Sequence, residues 1–205
     1  FMEVPSMPDP ALDTVPKPYI LATGGIAIRK NVHELLQAFC LLREKKPELH
    51  LVLTGSFDHL QEKYPAYYAT CRALLELPVL KETVHVLQPR SQAELIHWYR
   101  QAACVAYLSE YEGFGLPVLE SFATGVPVVA SNLSSIPEVA GDAALLVNPH
   151  ELDIIVDAIL RVIDDLSFRQ SLIARGTQQL QLFTWDRTLR LALPVLERFA
   201  RCQTS

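Results

Sequence analysis

No stretch of this 205-residue chain approaches the roughly 18 consecutive apolar residues of a membrane-spanning helix. No block of lysine and arginine stands out either. With 18 basic against 23 acidic residues the formal charge is −5, which argues against nucleic acid as a partner. There is no CxxC pair, and none of the four cysteines (40, 71, 104 and 202) has a histidine at metal-ligand spacing. Neither a zinc site nor a disulfide frame is expected, and the usage suits a reducing compartment. Cys40 and Cys104 fall in apolar patterns and are expected to act as small hydrophobes. The P-loop (GxxxxGKS or GxxxxGKT), the dinucleotide GxGxxG after the first strand and the GxSxG elbow are all missing. That disfavours P-loop ATPases, nicotinamide dehydrogenases and elbow-type hydrolases. No Asp-x-Asp pair exists to hold a metal on a phosphate, and no internal repeat is present.

The hydrophobic half of the composition excludes intrinsic disorder, and the length suits one domain or two small ones. The opening Phe1-Met2-Glu3-Val4-Pro5 has no signal-peptide run, and five prolines (5, 8, 10, 16 and 18) crowd residues 1–18. Residues 1–18 are expected to be a linker or incoming extended segment, and the chain the carboxyl half of a longer one.

From Tyr19 onward short apolar runs alternate with amphipathic stretches. Strands are expected at Tyr19–Thr23, His50–Thr54, Val84–Leu87, Cys104–Leu108, Val126–Ala130 and Ala143–Val147. A helix opens at Asn31, with Val32, Leu35, Leu36, Phe39 and Leu42 on one face. Residues 56–80 form a less regular, partly helical insertion. Ser91-Gln92-Ala93-Glu94 is a capping box, in which hydroxyl and carboxylate each take one of the helix's orphan amides. Pro117 is expected to start a helix that ends at Gly125, and helices follow at about 151–164, 166–181 and 186–201. Six strands separated by helices imply βα units. The expected fold is α/β: a doubly wound, parallel six-stranded Rossmann-like sheet with helices on both faces. Ligands are then expected at the carboxyl ends of the strands. The domain itself is expected over 19–183, followed by a C-terminal helix and tail over 184–205.

One segment is dense with chemistry: Glu112-Gly113-Phe114-Gly115-Leu116-Pro117-Val118-Leu119-Glu120. Gly113 and Gly115 permit unusual backbone angles and close approach of a ligand. Pro117 fixes a helix start, so the amides of residues 114–118 are expected to converge at a positive dipole end suited to a diphosphate. Glu120, facing sideways one turn in, suits a ribose diol, and Glu112 can reach a hydroxylated group beyond the diphosphate. A plain glycine turn with two solvated glutamates is the bland alternative; nine consecutive residues making one coherent site outweigh it. Two carboxylates could also serve a glycoside hydrolase, but the diphosphate-shaped turn between them argues against that. After the first strand, Gly24-Gly25 and Arg29-Lys30 open on the same face, and both cations could meet a phosphate. Taken alone, that pair reads as solvated.

Glu112 to Glu120 resembles the E-x7-E signature of the retaining, nucleotide-sugar-dependent glycosyltransferases known as group 1 (family 4). Tyr107-Leu108-Ser109-Glu110-Tyr111, Ala123-Thr124-Gly125-Val126-Pro127-Val128-Val129, Ser131-Asn132, Ile136-Pro137-Glu138-Val139-Ala140-Gly141-Asp142-Ala143-Ala144, Gly24-Gly25 with Arg29-Lys30-Asn31, and Phe183-Thr184-Trp185 are similar to it too. The resemblance covers about residues 19–200. It implies the carboxyl-terminal, donor-binding half of a two-domain GT-B enzyme. It also implies metal-independent transfer of a hexose with retained configuration, as in polysaccharide biosynthesis, and needs no cofactor beyond the nucleotide sugar. By resemblance Glu120 binds the ribose and Glu112 the donor sugar. The main chain of Gly113, Phe114, Gly115 and Leu116 meets sugar and diphosphate, with Gly24, Gly25, Arg29 and Lys30 around the phosphates. The base lies at Gln88-Pro89-Arg90. Glu112 and Lys30 are the expected catalytic pair. Gly25 stands where many members carry arginine, which leaves Lys30 as the phosphate cation in register.

The expected partners are a UDP-, GDP- or ADP-linked sugar and an amino-terminal acceptor-binding domain. The chain alone is expected to bind nucleotide and transfer nothing. The expected location is cytoplasmic, with any membrane-surface contact made through the missing half. The alternatives on the same fold are a nucleotide-sugar epimerase or glycan phosphorylase; the non-enzyme alternative is a non-catalytic nucleotide-sugar-binding module. The apolar face of 189–199 (Leu189, Leu193, Leu196, Phe199) either covers the sheet or stays exposed for the missing half or self-association.

Overall fold

The structure is a computed structural model that describes residues 15–202. The part of the expected linker over 1–14, and the tail over 203–205, lie outside the described residues. Six apolar runs form strands: β1 (Tyr19–Ala22), β2 (His50–Thr54), β3 (Val84–Leu87), β4 (Cys104–Tyr107), β5 (Val128–Ser131) and β6 (Leu145–Val147). All pair in parallel, in the order β3-β2-β1-β4-β5-β6. This is the doubly wound order of a Rossmann-like sheet, with its switch point between β1 and β4.

The helices are α1 (Val32–Lys45), α2 (Asp58–Lys63), α3 (Pro65–Leu75), α4 (Pro78–Lys81), α5 (Gln92–Gln101), α6 (Leu116–Thr124), α7 (Ile136–Ala140), α8 (Leu152–Asp164), α9 (Leu166–Leu180) and α10 (Trp185–Cys202). The irregular insertion is thus three short helices, α2 to α4. Two cores sandwich the sheet. Ile20, Leu51, Leu53, Cys104 and Ala106 face one core with α1 and α8; Leu21, Val52, Val105 and Tyr107 face the other with α5 and α6. Alternation along each strand persists, but both faces are apolar, so the sequence reads as continuous hydrophobic runs. Val15 is buried in the second core, so the incoming segment packs against the domain at its end.

Several boundaries differ from expectation for local reasons. α6 begins at Leu116 rather than Pro117, because Gly115 adopts φ +111° and serves as its N-cap. β5 starts at Val128: Gly125 (φ +72°) closes α6, and the Val126 amide bonds back to the Ser121 carbonyl. β6 starts at Leu145, since the Ala143 amide is spent in a turn to Ala140. In the capping box Ser91 Oγ accepts from the Glu94 amide, but the Glu94 carboxylate takes the amide of Arg90 (2.6 Å), one residue earlier than expected.

α10 does not cover the sheet. Leu189, Leu193, Leu196 and Phe199 are 53%, 48%, 63% and 68% exposed. Of the two readings of this face, exposure is the observed one.

Candidate functional site

At the switch point the loops after β1 and β4 leave the sheet side by side. Asn31 Nδ2 donates to the Leu108 carbonyl (2.9 Å), and the Glu110 amide to the Arg29 carbonyl (2.8 Å). Asn31 holds a left-handed backbone (φ +51°), a conformation that asparagine tolerates, and so turns a 3-10 segment at Ile28–Lys30 into α1. These bonds bring the two cations and the glycine turn into one cluster.

Lys30 is buried. Its Nζ lies 2.6 Å from Glu112 Oε1, 3.1 Å from the Tyr107 hydroxyl and 4.4 Å from the centre of the Tyr107 ring. Arg29 pairs with the same Glu112 oxygen and donates to the Tyr111 carbonyl. Burial pushes the Lys30 pKa below its ordinary value, and Glu112 offsets this only in part. Burial pushes the Glu112 carboxyl up, but the hydrogen bond and charge of Lys30, together with hydrogen bonds from Ser109 and Tyr107, hold the group low.

Gly24 (φ +89°) makes room for the Lys30 head. A Cβ there would meet Lys30 Nζ at 2.8 Å and Pro117 Cγ at 3.6 Å, so the ammonium and the first turn of α6 both border the space beside this glycine. Gly25 (φ +85°) has open space where a side chain would stand. Of the two glycines in the signature, only Gly115 needs its freedom; Gly113 is outside the left-handed region, with open space around it. The expected convergence of amides 114–118 is also narrower. Pro117 has no N–H, and the Val118 amide bonds to the Gly115 carbonyl (3.0 Å). The amides of Phe114, Gly115 and Leu116 have no acceptor among the described residues.

Glu120 is held by a different set of partners from Glu112. Its Oε2 accepts from the Tyr99 hydroxyl (2.7 Å), which also contacts Thr23 Oγ1 (2.7 Å). The signature loop is clamped from behind. The Ser135 hydroxyl donates to the Phe114 carbonyl, and Ser134 bonds both ways with the Glu112 backbone. Pro89 and Arg90 stand apart, at the end of β3; the Arg90 guanidinium is held by Glu94 (2.9 Å). Direct contacts thus join Arg29, Lys30 and Glu112, Gly24 borders the Lys30 ammonium and Pro117, and Glu120 is tied through Tyr99 to Thr23, the neighbour of Gly24; Phe114 and Leu116 line a separate groove with Phe183 and Trp185. Sequence reasoning missed Thr23, Tyr99, Tyr107, Ser134 and Ser135. Tyr107 stands in a flank similar to the family's, and the two serines stand beside Ser131-Asn132; the sequence alone gives none of the five a role.

A buried cation and free amides at a helix mouth, at the switch point of a doubly wound sheet, are the features with which α/β domains of this class hold anions. The sequence matches the family described as Glycosyl transferases group 1 over residues 10–179, and the chain belongs to that family. It is 36% identical over 169 residues to O-antigen chain mannosyltransferase B of Escherichia coli, covering 82% of this chain and 42% of that protein. It is 34% identical over 188 residues to a D-inositol 3-phosphate glycosyltransferase of Nocardioides, covering 87% and 41%. Among solved structures, sucrose-phosphate synthase from Thermosynechococcus elongatus superposes with TM-score 0.74 at 26% identity, over 93% of this chain and 47% of that one. A C-terminal domain of a group 1 family glycosyl transferase from Francisella tularensis superposes at 0.69 with 25% identity, over 82% and 86%. The chain therefore spans less than half the length of the curated relatives it matches, and the sheet is one Rossmann-like half of the GT-B fold.

Proposed function

We propose that this chain is the donor-binding half of a retaining glycosyltransferase that moves a hexose from a nucleoside-diphosphate sugar to a glycan or other acceptor. One observation carries the reading: the Lys30 ammonium and the first turn of α6 both border the space beside Gly24. A diphosphate between them meets a buried cation on one side and the amides of Phe114, Gly115 and Leu116 on the other. As the bond to the sugar breaks, negative charge grows on that diphosphate. Donors already aimed there stabilise it without reorganising, which is electrostatic catalysis. Glu120 takes the ribose diol, and Glu112 the donor sugar hydroxyls. The base lies along Gln88-Pro89-Arg90.

No divalent metal or other cofactor has a part in this reading. The acceptor site belongs to an amino-terminal half. The names of the E. coli and Nocardioides relatives, a mannosyltransferase and a glycosyltransferase, support a hexosyl donor. We place the reaction in the cytoplasm, with any membrane contact made by the other half; among the described residues no helix is long and apolar enough to cross a membrane. Titration calorimetry with UDP-, GDP- and ADP-sugars tests the reading. One nucleotide class should bind this chain, and the chain alone should transfer nothing. Absence of all three at millimolar concentration would overturn the donor site. Turnover by the chain alone would overturn the division between halves.

A further inference from the structure

We propose that Tyr99 is a positioning residue: its hydroxyl aims the Glu120 carboxylate at the ribose of the bound nucleotide. This rests on the reading of Glu120 as the ribose ligand. Tyr99 lies near the carboxyl end of α5, which Ser91 caps, and its side chain is fully buried between β1 and α6. A phenol has one proton. It goes to Glu120 Oε2 at 2.7 Å, because an ionised carboxylate only accepts. The 2.7 Å contact with Thr23 must then run the other way, with the Thr23 hydroxyl donating to the phenol oxygen. The result is a directed chain, Thr23 to Tyr99 to Glu120.

Burial, and next the Glu120 charge, hold the phenol's pKa well above 10, so the donor is permanent at any working pH. One carboxylate oxygen is thereby fixed, while Oε1 has no partner among the described residues. A glutamate has three rotatable bonds and loses appreciable entropy on being ordered. Tyr99 removes that cost before the nucleotide arrives. Thr23 directly precedes Gly24, so the same backbone turn seats Lys30 and anchors this chain of bonds. The ribose and phosphate arms are set by one segment.

The experiment is calorimetry on the purified protein with the nucleoside diphosphate it binds and with that nucleotide's 2′,3′-dideoxy analogue. Tyr99→Phe should weaken the ribonucleotide on the order of tenfold, the scale of a hydrogen bond to a charged group. It should leave the dideoxy analogue's affinity as in the unsubstituted protein. Thr23→Val tests the same chain without disturbing the buried aromatic, and should shift ribonucleotide affinity in the same direction by less. Equal losses for both nucleotides would mark a packing effect and overturn the inference, as would no loss for either. Failure of the unsubstituted protein to bind any nucleoside diphosphate overturns the reading beneath it, and the inference with it.

Discussion

Lys30 Nζ and Glu112 Oε1 lie 2.6 Å apart beside the mouth of α6, with Arg29 on the same oxygen. The Glu112 carboxylate thus sits on the cation that a phosphate would claim. On the proposed reading, an incoming diphosphate competes with it, and the displaced carboxylate becomes available to sugar hydroxyls. Glu112→Gln removes the competitor. Free nucleoside diphosphate should bind more tightly, by about 1 kcal/mol, and the advantage of the sugar nucleotide over it should shrink. Calorimetry with both ligands reads this; weaker nucleoside diphosphate binding would remove Glu112 from the cation's competition.

Gly24 and Gly25 offer a matched pair. Both have positive φ, so alanine at either should cost roughly 1–2 kcal/mol of stability. Only at Gly24 would the new methyl group push the Lys30 ammonium aside; at Gly25 it enters open space. Gly24→Ala should therefore lose nucleotide affinity through the displaced ammonium as well as stability, and Gly25→Ala, which leaves the ammonium in place, should lose less affinity for a similar stability cost. Urea melts and nucleotide titrations of the two variants separate the effects. Equal affinities would mean that Lys30 does not face the ligand.

Gly176 lies inside α9, where alanine usually helps a helix by about 1 kcal/mol. Here the sign reverses. A Cβ would meet the Phe122 ring at 2.8 and 3.1 Å, and Phe122 is a rigid, buried side chain of α6. Overpacking of this kind costs roughly 1–3 kcal/mol, so Gly176→Ala should be net destabilising in a denaturant melt. A more stable variant would mean that α6 and α9 are not in such close contact.

His50 Nδ1 and His85 Nε2 are 3.0 Å apart across β2 and β3. One ring must donate and the other accept, which two imidazolium ions cannot do. Burial lowers both pKa values from 6.5, helped at His50 by Arg43 and at His85 by His50. The unfolded chain then binds protons first. Stability is full above the unfolded pKa and declines as pH falls through about 6.5 toward the lower folded values. The thermal midpoint should drop between about pH 7.5 and 5.5, and His85→Gln should flatten that slope. An unchanged slope in the variant would assign the acid sensitivity elsewhere.

Burial also keeps the free thiols quiet. The Cys71 thiol is pushed up to about 11 and the Cys104 thiol to about 12, so both serve as core hydrophobes. Neither should react with a thiol reagent at neutral pH until the protein unfolds, which a labelling time course would show.

By itself the sequence determined the local features. Short apolar runs became β1 to β6, two of them stopped by Gly24 and Gly55, the capping serine at 91 placed α5, and Gly115 with Pro117 placed the mouth of α6, because backbone freedom and hydrophobic period act over a few residues. Tertiary structure decided the pairings. Tyr99 reaches Glu120 across 21 positions and Lys30 reaches Tyr107 across 77, joined only by strand order. The same holds for His50 beside His85, set by the register of β2 on β3, and for α10, whose apolar face reads like a buried one yet lies in the open. A hydrophobic pattern says that a face can be covered; what covers it depends on where distant elements come to rest.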